Sequence, residues 1–313
     1  MKLSIVTTLY RSEATVDEFY RRCMAAAAHC FSDVELIFVD DGSPDDSLAR
    51  ALTLAENDPR VVVIEFSRNF GHYRAMMAGL SAASGDYVFL LDSDLEEEPE
   101  WLGAYWDRLR RDNCDVVYGV QESRKGSWFE HVTGEFFYWL VDKLSEEKIP
   151  RNLVTARLMK RQYVRALLRH RDREFFIAQL WLLTGFRQQA ISVKKLALSP
   201  TTYSIAQRTN MLVRYVTTTS TKLLYIILYT GCGIAGLSAL AVFFTIGRYL
   251  WTGVAADGWS SIIVAICFFG GLTTLILGII GIYVANIFSE TKRRPYVIVR
   301  QVHRDRTLPS SGS

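Results

Sequence analysis

Two stretches of this chain are ruled out as surface helices of a water-soluble domain. From Leu223 to Leu250 the only charged residue is Arg248, and from Ile262 to Phe288 there is none. Each exceeds the roughly 20 residues that cross a hydrocarbon layer, and soluble core helices rarely run so long without charge. Both read as transmembrane helices. Gly231, Gly233, Gly236, Gly270, Gly271, Gly278 and Gly281 lie inside them and suit close helix contact, so a homo-oligomer is an expected assembly.

Positive charge sets the orientation. Arg208, Arg214 and Lys222 precede the first span, and Lys292, Arg293, Arg294, Arg300, Arg304 and Arg306 follow the second. The connector Trp251 to Ser261 carries no Lys or Arg, so both termini are expected on the cytoplasmic side. Met1 to Tyr10 is a short strand-like run with no cleavage site, which does not read as a signal peptide. Net charge over the 313 residues is only +3. That value argues against nucleic acid as a partner, while the basic flanks of the spans suit anionic lipid head groups. Cys23, Cys30 and Cys114 lack metal-ligand spacing, Cys232 and Cys267 lie inside the spans, and all five are expected as free thiols.

The first 120 residues alternate strand and helix signals. Strands are predicted at Lys2 to Thr8, Val34 to Val39, Val61 to Phe66, Tyr87 to Leu91 and Val116 to Val120. Helices are predicted at Ala14 to His29, Asp46 to Asn57, Tyr73 to Ala83 and Trp101 to Arg111. Such alternation implies an α/β fold with a mostly parallel sheet between helices, in which ligands bind beyond the carboxyl ends of the strands. Further on, Phe129 to Leu144, Val164 to His170 and Phe175 to Thr184 read as helices, Ala190 to Leu196 as a closing strand, and Gln207 to Leu223 as an interfacial helix. The expected division is then a cytoplasmic domain over residues 1–205, an interfacial juxtamembrane helix over 206–222, spans at 223–250 and 262–288, an extracytoplasmic loop at 251–261, and a basic cytoplasmic tail at 289–313, with disorder expected over Pro309 to Ser313.

Asp92-Ser93-Asp94 stands where the fourth strand ends. Two carboxylates one residue apart make an oxygen-rich point suited to Mg²⁺ or Mn²⁺ shared with substrate phosphates. Val39-Asp40-Asp41-Gly42-Ser43-Pro44-Asp45 ends the second strand at the same edge, although Ser43 and Asp45 also suit a simple helix-capping turn. His72 is expected to pack or cap rather than to touch ligand.

Six motifs fall in one order: Ser4-Ile5-Val6 with Tyr10, Val39 to Asp45, Ser67-Arg68-Asn69-Phe70-Gly71-His72, Ala78-Gly79, Gly85-Asp86, and Asp92-Ser93-Asp94-Leu95. The order resembles glycosyltransferase family 2, in particular its polyprenyl-phosphate glycosyltransferases, and the two spans followed by Arg294-Pro295-Tyr296 resemble the bacterial members. The resemblance implies a nucleotide-sugar-binding GT-A-type domain at the inner (cytoplasmic) membrane. A sugar would pass with inversion from a nucleotide diphosphate, expected to be UDP, to undecaprenyl phosphate. By that resemblance Asp92 and Asp94 are catalytic and hold the metal, Asp41 accepts the base N–H with Thr8 and Tyr10 completing the pocket, Asp40 fixes the loop, and Ser93 belongs to the nucleotide site. Arg124, Lys125, Arg157, Lys194 and Lys195 are candidates for the cradle of the acceptor phosphate, with Arg124 and Arg157 counted as catalytic.

The chain departs from the family pattern in its second half. Where an Asp-Phe-Arg-Leu run is common it has Thr155-Ala156-Arg157-Leu158, and it has Gln121 where Arg is common. Thr201-Thr202-Tyr203 replaces a Ser-Lys-Tyr run, and Glu96 stands in place of Gln. These changes imply a different sugar or reduced activity, with a non-catalytic membrane scaffold as the alternative. A processive polysaccharide synthase is disfavoured by the lack of a Gln-x-x-Arg-Trp run and by the small number of spans.

Overall fold

The computed structural model describes residues 1–121, 152–170, 172, 177–196, 222–252, 258–292 and 294–304. The helix expected at 129–144, residues 206–221 of the interfacial helix, the tail beyond 304, and Arg124, Lys125 and Thr202 lie outside these residues.

The elements run β1 (Lys2–Leu9), α1 (Val16–Ala28), β2 (Asp33–Asp40), α2 (Ser47–Asn57), β3 (Val61–Phe66), α3 (His72–Ala82), β4 (Tyr87–Leu90), α4 (Trp101–Arg111) and β5 (Val116–Gln121). They continue with β6 (Leu153–Lys160), α5 (Arg161–Leu167), α6 (Ile177–Leu183), β7 (Gln188–Val193), α7 (Lys222–Thr252), α8 (Trp259–Thr291) and β8 (Val299–His303). β1, β2 and β3 are buried almost end to end, as expected of apolar strands covered on both faces. Phe19, Ala51 and Tyr105 bring α1, α2 and α4 onto one face of the sheet. Met76, Tyr163 and Trp181 bring α3, α5 and α6 onto the other. Each fully buried Leu, Ile or Phe stabilises the fold by roughly 1.5–3 kcal/mol relative to exposure. Gly79 lets α3 lie this close, since a Cβ there would stand 2.5 Å from Val6 Cγ1 and 2.9 Å from Val39 Cγ2.

All eight strands form one sheet in the order β7-β5-β6-β4-β1-β2-β3-β8. β1 pairs in parallel with β2 and β4, β2 with β3, and β5 with β7. β6 is antiparallel to β4 and β5, and β8 is antiparallel to β3, so the sheet is mixed, with four of its seven pairings parallel. The strand order reverses at β1. A crevice therefore opens between the carboxyl ends of β1 and β4, the position where such sheets take ligands.

Two strands were not foreseen. β6 has Arg157 at its centre, which interrupts the apolar pattern of a buried strand. β8 lies in the segment expected only as a basic tail, and it is held by Arg300 Nη1 donating to Glu65 Oε1 at 2.7 Å and by His303 Nε2 at 3.3 Å from Glu65 Oε2. Seven residues separate the end of α8 from β8, and Ile298 O already accepts the Ser67 N–H at 3.0 Å.

α7 and α8 have 31 and 33 residues and expose Phe243, Phe244, Leu275 and Ile287. At 1.5 Å per residue each is roughly 45–50 Å long. Among the described residues one stretch, Phe268–Thr291 with mean hydropathy 2.0, is long and apolar enough to cross a membrane, and Lys222–Ile234 is a shorter apolar stretch. Cys23, Cys30, Cys114 and Cys232 are free thiols.

Candidate active site

The crevice is lined by the loops after β1, β2, β3 and β4. Asp40, at the end of β2, accepts the N–H of Gly42 at 3.2 Å and of Ser43 at 3.3 Å. Burial pushes its carboxyl up to about 6, against the pull of those two donors. Asp41 is 2% exposed and accepts the Phe70 N–H at 2.6 Å and the Gly71 N–H at 3.0 Å. Asp41, expected as the acceptor for the base, clamps the loop after β3. Gly42, at φ +64, permits the approach, since a Cβ there would stand 2.6 Å from the backbone of Arg68 and Asn69. The clamp delivers His72, at the start of α3, into the crevice. Its Nδ1 lies 2.9 Å from Thr8 Oγ1 and its Nε2 lies 3.3 Å from Asp92 Oδ1. Tyr10 is 46% exposed at the mouth.

The acidic side is built differently. Asp94 is exposed, and its Oδ1 accepts the Glu96 N–H at 3.0 Å. Burial raises its pKa, and the charge of Asp92 adds to that. Asp92 is only partly exposed; burial pushes its pKa up, but His72 outweighs this and holds it low. Its Oδ1 is shielded from solvent and makes no hydrogen bond of proper geometry. A half-buried carboxylate held ionised beside a second, exposed carboxylate fits a hard divalent cation, with the other coordination positions left to substrate oxygens and water. Among the described residues no group of three His, Cys, Asp or Glu side chains forms a complete cage.

Behind this pair stands Glu97, fully buried, with Oε1 accepting the Thr155 N–H at 2.9 Å and Oε2 unpartnered. Burial, and next the charge of Asp92, push its carboxyl up to about 8. Lys195 Nζ reaches to 3.2 Å from Glu96 Oε2 and 4.0 Å from Glu97 Oε1. Burial works against its charge, but Glu97, Asp94 and Asp92 outweigh that and raise its pKa. Lys195 thus comes to the acidic loop, whereas Lys194 is exposed beside it.

Arg157, expected as a phosphate-cradling and catalytic residue, lies in the core. It is 1% exposed, its Nε donates to Thr155 O at 3.2 Å, and its guanidinium stacks on Trp181. Burial lowers its pKa to about 10. In β6 its register opposite Leu90 and Tyr118 directs it into the core. His72 and Glu97 are the functional candidates that sequence reasoning undervalued. His72 ends a motif already singled out, and Glu97 is hidden within the run Glu96 to Glu98.

A family model described as Glycosyl transferase family 2 matches residues 4–169. A Mycobacterium tuberculosis protein described as "Putative glycosyltransferases" is 45% identical over 97% of this chain and 89% of its own length. Bacillus subtilis YkcC, described as a glycosyltransferase, is 33% identical over 96% of this chain and 94% of its own. The "SfII prophage-derived bactoprenol glucosyl transferase" of Shigella flexneri is 29% identical over 97% of this chain and 99% of its own.

Proposed function

The chain belongs to glycosyl transferase family 2, and from that premise we propose a membrane-anchored enzyme that moves one sugar, with inversion, from a nucleotide diphosphate, UDP foremost, to a polyprenyl phosphate such as undecaprenyl phosphate. The observation that carries the reading is the pairing of Asp92 and Asp94 at the switch point of the sheet, one facing the His72 ring from a half-buried position and the other open to solvent. Similarity along nearly the whole chain to a bactoprenol glucosyl transferase supports the acceptor. The two long helices, with the basic residues flanking them, support a multi-pass anchor with the sheet on the cytoplasmic side.

In this reading Thr8 and Tyr10 flank the base, Asp40 and Asp41 hold the loops that shape its pocket, and Ser93 lies against the ribose and diphosphate. Asp92 and Asp94 would hold Mg²⁺ or Mn²⁺, which when bound supplies charge neutralisation for the departing diphosphate. The acceptor phosphate has a second pKa of about 6 and is largely dianionic at neutral pH. Its oxygen forms the new bond to the anomeric carbon while the bond to the nucleoside diphosphate breaks, and no protein base is required. Thr155, which offers its N–H to Glu97 and no carboxylate, is compatible with that chemistry. Lys195, Lys194, Arg124 and Lys125 are proposed to meet the acceptor phosphate. A homo-oligomer through the glycine-bearing helix faces belongs to the same proposal.

The test is nucleoside diphosphate release by the purified full chain across UDP-, GDP- and dTDP-sugars, with and without undecaprenyl phosphate, in Mn²⁺ or Mg²⁺. Release that needs both lipid and metal for one donor is the expected result. Donor binding indifferent to metal and to Asp94→Ala, without lipid-dependent release, would support a scaffold instead.

A further inference from the structure

A line of hydroxyls runs beneath the crevice and, Ser93 apart, has no role in the reading above. Asp45 Oδ1 accepts the Ser47 hydroxyl at 2.5 Å and also that of Ser43, while Asp45 Oδ2 accepts the Glu13 N–H at 3.1 Å. Ser47 Oγ accepts the Ser12 N–H at 2.9 Å. Ser12 Oγ accepts the Tyr10 N–H at 3.3 Å and lies 3.0 Å from Ser93 Oγ. Ser93 Oγ in turn donates to the Thr8 carbonyl at 2.9 Å. A serine hydroxyl has one proton to give. Ser93 gives its proton to Thr8, so Ser12 must be the donor in the Ser12–Ser93 pair.

The line joins three loops that meet nowhere in sequence: residues 10–15 after β1, residues 41–46 after β2, and the acidic triplet after β4. Both loops linked through Ser12 carry backbone strain beside the link, with Arg11 at φ 56 and Leu95 at φ 61. Left-handed residues other than glycine persist where the surroundings over-determine them. Ser47 is fully buried and Ser93 is 5% exposed, so water is poorly placed to substitute for a lost partner.

We propose that Ser12 is a positioning residue for the acidic triplet: it carries the anchor at Asp45 across to Ser93 and so sets where Asp92 and Asp94 stand when the donor arrives. The inference deepens the donor-site reading and rests on it. Removing the Ser12 hydroxyl leaves the Tyr10 N–H without its acceptor and Ser93 without its donor, while Asp92 and Asp94 themselves are untouched.

The experiment compares Ser12→Ala and Ser12→Thr with wild type in the full chain. Amide hydrogen exchange over residues 92–97 reads the loop with no ligand present, and titration with uridine diphosphate in Mn²⁺ reads the site. Ser12→Ala is expected to speed exchange in 92–97 and to weaken Mn²⁺-dependent UDP binding by about tenfold, the lower end for loss of a group that orients a metal ligand. Ser12→Thr, which keeps the hydroxyl, is expected to restore both. Unchanged exchange in 92–97 overturns the proposal whatever the ligand does, as does a loss that Ser12→Thr fails to restore. Faster exchange in Ser12→Ala with a wild type that binds no UDP in Mn²⁺ upholds the positioning role and removes the donor reading.

Discussion

The loops after β1, β2 and β3 and the loop after β4 face each other across one crevice but satisfy their polar groups to different degrees. On the first side Asp40, Asp41, Asp45, Ser12 and Ser47 are occupied by backbone N–H groups and hydroxyls. On the second, Asp92 Oδ1 faces the His72 ring at 3.3 Å, and Glu97 Oε2 has no hydrogen-bond partner, nor do Tyr105 Oη and Arg157 Nη2 behind them. An unmade bond of this kind costs roughly 1–3 kcal/mol. The side built from the loops after β1, β2 and β3 is therefore finished by folding alone, and the acidic side carries a deficit that a cation and its phosphates could remove. Thr7 Oγ1 is a single orphan on the otherwise satisfied side.

The contrast can be broken most directly by mutation of the acidic triplet. Asp92→Ala and Asp94→Ala are each expected to lower nucleoside diphosphate release about a thousandfold or more, on the scale of losing a principal charge-stabilising group. Asp92→Asn is expected to melt below the wild-type temperature in metal-free buffer at neutral pH, because the fold, through His72, favours the ionised Asp92 carboxylate. Wild-type turnover in either alanine variant would end the metal assignment. On the satisfied side, Asp41→Ala orphans the Phe70 and Gly71 N–H groups and should cost about 2–4 kcal/mol in denaturant titration, with weaker UDP binding.

A pH series sharpens the comparison further. The Glu97 carboxyl is raised to about 8 by burial, against an ordinary value of 4.5. The unfolded chain therefore ionises this group first, and wild-type stability falls as pH rises from about 4.5 to 8. Glu97→Gln lacks that loss, so its melting temperature should gain on wild type across the window and level off above it. A difference independent of pH would show that Glu97 is ionised in the fold. The smallest effect is expected at the sheet edge. Arg300 is 61% exposed, and Arg300→Ala should cost about 0–1 kcal/mol by equilibrium unfolding.

Legibility followed the same divide. Val61–Phe66 and Trp101–Arg111 could be read from end to end, because a covered strand and an amphipathic helix each impose a period on the chain. β6 was missed since the residue at its centre is a buried arginine whose partner, the Trp181 ring, lies 24 residues away in sequence. β8 was missed because Val-Arg-Gln-Val-His exposes nearly every side chain and declares itself a strand only by pairing with β3. At the site, the carboxylates were legible from spacing after a strand. That Asp41 holds a loop, and that His72 bridges Thr8 to Asp92, depend on loops separated by about 30 and 64 residues, which no local pattern records.

The seven residues between α8 and β8 have a kinematic meaning. Fully extended they reach about 25 Å, comparable to the radius of a domain of this size. Whatever surface fixes the end of α8 therefore fixes the β3 edge of the sheet on a short leash, and the crevice sweeps a thin layer above that surface rather than a sphere of solution. For an acceptor confined to a lipid leaflet, encounter becomes a search in two dimensions, governed by lateral diffusion and surface density instead of bulk concentration.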